Sequence, residues 1–177
     1  MPNALRPRLR ALLRELLTLA LIALIASNVT SYLRRPTPPH DARPPLGAGP
    51  LGGGMVVGGG LREEDLAGGP VLVYFWGSWC GACALQSPVV EGLWQEGVKV
   101  VSVAVGSGGD EEVRAFMGER GYSFPTLNDV GGGAQRAWGV SAFPTLFVYG
   151  ADGRLRFSEV GYTSSLGLRA RLAWAGR

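Results

Sequence analysis

The fold class this sequence predicts is α/β: a central mixed sheet flanked by helices, preceded by one N-terminal transmembrane helix. Three observations predict it. A charge-free apolar stretch near the N-terminus is flanked by arginines; a continuous apolar run, Val71 to Phe75, ends at a helix-opening segment; and an Asp-Gly turn joins two later strand-like runs. The 177 residues suffice for one ordinary domain beyond that helix, and 46% hydrophobic residues can fill its core.

The N-terminus, residues 1–15, is basic, with Arg6, Arg8, Arg10 and Arg14. Leu16 to Leu33 carries no charge and falls within the roughly 17 to 25 residues that cross a bilayer, with Tyr32 as an interfacial aromatic. Four arginines precede this anchor and Arg34 and Arg35 follow it, so the positive-inside bias puts the N-terminus in the cytoplasm. A cleaved signal peptide shares the basic start and apolar middle, but no clean Ala-x-Ala follows Ile25. Either outcome exports the domain. The expected location is the cell inner membrane, single-pass, with the domain on the periplasmic or extracytoplasmic side and the lipid bilayer as a partner through the anchor.

Residues 34–54 form a tether, since Pro36, Pro38, Pro39, Pro44, Pro45 and Pro50 among many glycines favour extended chain over core. His40, the only histidine, reads as a solvated linker residue there. Up to Gly54 seven arginines face Glu15 and Asp41, a net +5. From Met55 onward ten basic and twelve acidic residues give −2. The basic charge therefore belongs to the anchor region, and the folded part lacks the basic patch that a nucleic-acid partner requires.

Residues 55–177 alternate strand and helix. Val71 to Phe75 follows Gly68, Gly69 and Pro70 and suits a strand buried on both faces. Cys80 to Trp94 is a helical mix of small and apolar residues, and Val98 to Val105 is a second buried strand. Asp110 to Arg120 opens with Asp110, Glu111 and Glu112, acids suited to the positive end of a helix. Leu146 to Tyr149 and Leu155 to Val160 form a hairpin across Gly150, Ala151, Asp152 and Gly153. Ser164 or Ser165 then caps a last helix that runs to Trp174.

The chemistry is concentrated at Cys80 and Cys83. The chain has no other cysteine, so the two cannot staple distant segments and act as a local pair. The segment Trp76-Gly77-Ser78-Trp79-Cys80-Gly81-Ala82-Cys83 lies where strand gives way to helix, which places Cys80 at a helix N-terminus. Free backbone N–H groups and the helix dipole stabilise a thiolate there, making Cys80 the nucleophile. Cys83, one turn deeper, is placed to attack a mixed disulfide on Cys80 and release the substrate. A lone Cys-x-x-Cys also serves zinc or soft-metal sites, but no second ligand pair exists and no metal site is expected.

Val73-Tyr74-Phe75-Trp76, Trp79-Cys80-Gly81-Ala82-Cys83 and Pro88 resemble the thioredoxin family, as does Trp138-Gly139-Val140-Ser141-Ala142-Phe143-Pro144-Thr145-Leu146-Phe147-Val148. The resemblance covers roughly Leu61 to Trp174. With the anchor it is nearest the TlpA-like exported branch, which includes cytochrome c maturation thiol reductases and the suppressor-for-copper-sensitivity D type. It implies a thioredoxin fold with Pro144 as the family's cis-proline, its loop facing the cysteines. It also implies that Trp79, Phe143, Pro144 and Thr145 bind substrate, and that Gly81, Ala82, Tyr74, Gln86 and Pro88 support the site. An X-Pro bond after an aromatic residue is itself among the more cis-prone. Pro125 reads as an ordinary trans proline opening a strand, Pro88 as a bend in the active-site helix, and Trp94, Trp138 and Trp174 as core.

Two positions depart from the family. Thioredoxins carry a buried Asp six residues before the first cysteine, and many TlpA-like reductases a Glu three residues after the second; here Tyr74 and Gln86 stand there. Without that carboxylate the Cys83 step relies on water, backbone or the Tyr74 hydroxyl. The expected function is an extracytoplasmic thiol–disulfide oxidoreductase. It exchanges electrons with client proteins that carry cysteines, served by a membrane electron donor or acceptor. The redox-active Cys80–Cys83 disulfide is its only redox group, with no cofactor. A reductase or isomerase-like role is preferred, because Gly81-Ala82 adds no strong thiolate stabilisation; the alternatives are a disulfide-forming oxidase and a Cu(I)-binding module.

Overall fold

The computed structural model describes residues 12–19, 21–22, 25–26, 29, 55–58 and 67–177. The chain divides into two compact units, residues 1–35 and 36–177. In the first, the described residues between 12 and 29 are helical and their side chains are exposed, Leu16, Leu17, Leu21 and Ile22 among them. Thr18 Oγ1 donates back to the Arg14 carbonyl at 2.6 Å. Among the described residues no helix is long and apolar enough to cross a membrane. The expected span, Leu16 to Leu33, is described only in part. The tether at 34–54, with His40, lies outside the described residues, as do Arg6, Arg8 and Arg10.

The second unit is built on a six-stranded mixed sheet in the order β1-β4-β3-β2-β5-β6. Its strands are β1 Met55–Val57, β2 Val71–Trp76, β3 Lys99–Val105, β4 Thr126–Asp129, β5 Thr145–Tyr149 and β6 Leu155–Val160. The helices are α1 Gly81–Gln95, α2 Asp110–Glu119, α3 Gly133–Ala137 and α4 Ser165–Ala175. β2 pairs in parallel with β3, and β3 with β4. β5 and β6 run antiparallel, and β1 closes the far edge antiparallel to β4.

Period-two alternation splits β2 between two cores. Leu72, Tyr74 and Trp76 join α1, α2 and α4 through Val90, Leu93, Val113, Met117, Leu168 and Leu172. Val71, Val73 and Phe75 pack on the other face with Ala134, Trp138 and Val140. Every β2 residue is consequently buried, which is why it reads as an unbroken apolar run. The β2-α1-β3 and β3-α2-β4 crossovers advance in one direction along the sheet, so the usual handedness puts α1 and α2 on the same face.

The expected strands, hairpin and final helix form with small boundary shifts, and Ser164 is the cap of α4, its Oγ accepting from Gly167 N–H. Pro125 is trans and immediately precedes β4. β4 is the strand that Pro125 was expected to open, whereas β1 and α3 have no counterpart among the elements expected individually. Trp138 is core, whereas Trp174 is 54% exposed and meets Phe157 edge-on beneath the Arg156 guanidinium, correcting its assignment to the core.

Candidate functional site

The register brings three chain segments to one end of the sheet. The C-terminal end of β2 leads into Gly77–Cys80, the end of β3 into Gly106 and Ser107, and Phe143-Pro144 enters β5, whose Thr145 lies opposite Phe75. Cys80 is the N-cap of α1, in extended backbone conformation, with its Sγ accepting from the Cys83 N–H at 3.2 Å. Cys80 and Cys83 form a disulfide across 5.2 Å of Cα separation. Cys80 is 8% exposed and Cys83 1%, so Cys80 is the more accessible of the pair.

The loop before Cys80 is tied to the end of β3. Ser78 N–H donates to Ser107 Oγ at 3.0 Å, and the Val105 carbonyl accepts both Ser107 Oγ and the Trp79 indole Nε1, the latter at 3.1 Å. Gly77 is required beneath that indole: a Cβ there would stand 2.6 Å from Trp79 Cε2. Trp79 is 60% exposed and meets Phe143 edge-on, with ring centroids 5.4 Å apart. The Phe143-Pro144 peptide is cis. The Pro144 carbonyl accepts from Gly161 N–H at 2.8 Å, which seats the turn before α4 beside the proline.

Behind the cysteines the helix face Cys83, Gln86, Ser87, Val90 and Leu93 is buried. The Tyr74 hydroxyl shares a 2.9 Å hydrogen bond with Ser87 Oγ and donates to the Cys83 carbonyl at 3.4 Å. Burial pushes the Tyr74 phenol far above its ordinary range, against a smaller downward pull from Ser87. Tyr74 therefore stays protonated at neutral pH, where its hydroxyl positions the helix and cannot serve as the base for Cys83. Gln86 is fully buried, its Oε1 accepting from Thr163 N–H at 2.7 Å. Among the described residues, none of the buried polar side chains on this helix face is a carboxylate.

The structure thus gathers Cys80, Cys83, Trp79, Phe143 and Pro144, with Tyr74 and Gln86 beneath them. Gly81 and Ala82 are exposed in the first turn of α1. Pro88 lies inside α1 on its exposed side, where its missing N–H leaves the Ala84 carbonyl without an i+4 donor. Thr145 is fully buried and its Oγ1 donates to the Ala142 carbonyl at 2.7 Å, so its side chain offers a substrate no surface. Ser87, Ser107 and the Gly161–Thr163 turn are contributors that sequence reasoning did not name. Of these, only Ser87 carried a signal, its i+4 spacing from Cys83.

A family model described as Redoxin matches residues 61–168. A thioredoxin-like protein of Haemophilus influenzae is 32% identical over 168 residues, covering 95% of this chain and 97% of its own length. The thiol:disulfide interchange protein HelX of Rhodobacter capsulatus is 34% identical over 97 residues; the match spans 54% of each chain, so only about half of that relative is represented. In fold the chain is similar to the exposed lipoprotein thioredoxin Etrx1 of Streptococcus pneumoniae. There the TM-score is 0.61 at 23% identity, over 69% of this chain and 96% of that one.

Proposed function

This chain belongs to the redoxin family, as a TlpA-like thioredoxin-fold thiol–disulfide oxidoreductase, and from that premise we propose that it works outside the cytoplasm, held to the inner membrane by residues 16–33. In this reading it receives electrons from a membrane donor and passes them to cysteines of client proteins, in a reductase or isomerase-like role. The family's chemistry runs on cysteine sulfur without a cofactor.

The observation that carries the reading is the disulfide at the N-cap of α1, with its more exposed sulfur beside the wall of Trp79 and Phe143. In the reduced protein the helix N-terminus and the Cys83 N–H favour a thiolate on Cys80. Its Sγ attacks a client disulfide, forming a mixed disulfide and expelling one client thiolate. Cys83 Sγ then attacks Cys80 Sγ, closing the Cys80–Cys83 bond and releasing the second client thiolate. Two electrons pass to the client, and the donor restores them. Trp79 and Phe143 form the apolar rim against which a client segment rests, and the Phe143-Pro144 turn offers backbone for pairing.

Support for the membrane tether comes from the uncharged stretch Leu16 to Leu33 and from the exposed leucines among its described residues. The reductive direction is supported by a Cys80 Sγ that draws on one backbone N–H, with Gly81-Ala82 and no histidine between the cysteines. A Cys83→Ala variant tests the exchange chemistry by trapping clients as mixed disulfides on Cys80, and equilibration with glutathione gives the potential. A value near about −270 mV agrees with reduction, whereas one near about −120 mV overturns it. Stoichiometric Cu(I) binding with no trapped client would overturn the exchange reading itself.

A further inference from the structure

Gln86 carries an unusual deficit. It has no solvent exposure, and its Oε1 is fixed toward the 161–163 turn because Thr163 N–H can only donate. The other amide atom, Nε2, is thereby a buried donor, and it has no acceptor. Buried donors without partners are expensive and uncommon, and each calls for an explanation, a redox or catalytic role or an ordered water among them. The two other buried polar side-chain atoms without partners among the described residues give no such pointer. Asn128 Oδ1 is an acceptor on β4, and Tyr149 lies at the end of the sheet away from the cysteines.

Cys83 has the complementary deficit. Cys80 Sγ takes the Cys83 N–H and sits at the helix N-terminus, but among the described residues no donor reaches Cys83 Sγ. Within the disulfide it needs none. When an external dithiol opens the bond, two electrons pass to the two sulfurs, the dithiol closes to its own disulfide, and Cys83 Sγ becomes a strong acceptor whenever it is unprotonated. Gln86 lies three residues along α1 on the same buried face, the spacing at which helical side chains are neighbours.

We propose that the Gln86 amide is a redox-dependent donor that hydrogen-bonds the Cys83 thiolate once the disulfide is open. It thereby lowers the resolving thiol's pKa as a neutral group, with no proton acceptor of its own. The inference rests on the thiol-exchange reading and deepens it. In this protein the resolving thiolate is stabilised in place, and its proton goes to water or to the thiolate the client has just released.

The test titrates the 13Cβ shift of Cys83 in the dithiothreitol-reduced whole chain, in native protein and in two variants. Gln86→Glu keeps an acceptor for Thr163 N–H but removes the donor; Gln86→Met removes both. The expected result is a Cys83 midpoint at least one pH unit higher in each variant, a tenfold loss of thiolate below that midpoint. Unshifted midpoints in both overturn the inference. A shift in Gln86→Met alone would trace the effect to the Thr163 contact, and one in Gln86→Glu alone to charge repulsion, and either also overturns it. Whether dithiothreitol opens the disulfide in these samples bears separately on the exchange reading.

Discussion

Replacing Glu91 by Gln should weaken the active-site domain in a way that disappears in acid. Glu91, in the C-terminal half of α1, accepts from Ser123 N–H and Ser123 Oγ at 2.7 Å each, from Phe124 N–H at 3.2 Å, and from Gln95 Nε2 at 2.7 Å. These bonds hold the turn that presents Phe124 edge-on to Tyr74 and Trp76, with centroids 6.1 and 6.3 Å away. A shielded hydrogen bond to a charged acceptor contributes about 1.5–3 kcal/mol. Glu91 is only half-buried, and Ser123 Oγ and Gln95 can turn to water. The two backbone bonds are therefore discounted to about 0.5–1 kcal/mol each.

Glutamine keeps one acceptor oxygen but sets an NH2 against an N–H, so the loss should be about 1–2 kcal/mol. With a urea slope of about 2 kcal/mol/M, the midpoint falls by roughly 0.5–1 M at pH 7. Burial pushes the Glu91 carboxyl up, but the hydrogen bonds from Gln95, Ser123 and Phe124 outweigh it and hold the group below its ordinary value of 4.5. A carboxyl with a depressed folded pKa contributes stability that is fully present above the unfolded value and is lost as pH falls through the folded one. The gap between native and variant should be full at pH 7 and close progressively below pH 4.5. Urea unfolding of the whole chain followed by tryptophan fluorescence measures it. An equal gap at pH 7 and in strong acid, or none at pH 7, would refute the reasoning.

Cys83→Ala should reduce insulin-reducing turnover to the level of uncatalysed exchange while accumulating mixed disulfides on Cys80, read by non-reducing electrophoresis; full turnover would remove Cys83 from the cycle. Phe143→Ala removes one ring of the proposed client rim, and an aromatic contact between that ring and a client is worth about 0.5–1.5 kcal/mol. The KM for a peptide client should accordingly rise about two- to tenfold at nearly constant kcat, and an unchanged KM would detach Phe143 from binding. Gly77→Ala forces the indole off its seat and breaks the Val105 bond, which should cost about 1–2 kcal/mol and alter the near-UV circular dichroism; an unaltered spectrum would contradict the close approach. A chain beginning at residue 36 should leave the membrane fraction for the soluble one, and retention on membranes would count against the anchor.

The parts of this fold written locally were legible, and the parts written by distant partners were not. β2 announced itself because both its faces are buried, and the hairpin because Asp152-Gly153 fixes its turn. β1 is three residues among glycines, held by its pairing with Leu127 and Thr126, and β4, signalled only by Pro125 at its entry, exists through parallel pairing with β3. Neither has a periodicity of its own. α3, at five residues, is shorter than any helical pattern that composition can reveal. At the site, the cysteines stood out by their spacing at a strand–helix boundary and the cis-proline through the family resemblance of its segment. The bonds of Gln86 to Thr163 and of Glu91 to Ser123 span 77 and 32 residues, separations that no local window contains.

Those distant contacts bear on what the disulfide is spared. The Tyr74 hydroxyl grips the Cys83 carbonyl, Gln86 grips the Thr163 amide and Glu91 grips the Ser123 turn, at three heights along α1 and none through sulfur. Opening the Cys80–Cys83 bond removes a partner from none of them. The helix is thus held as a bench by contacts separate from the one bond that exchange makes and unmakes.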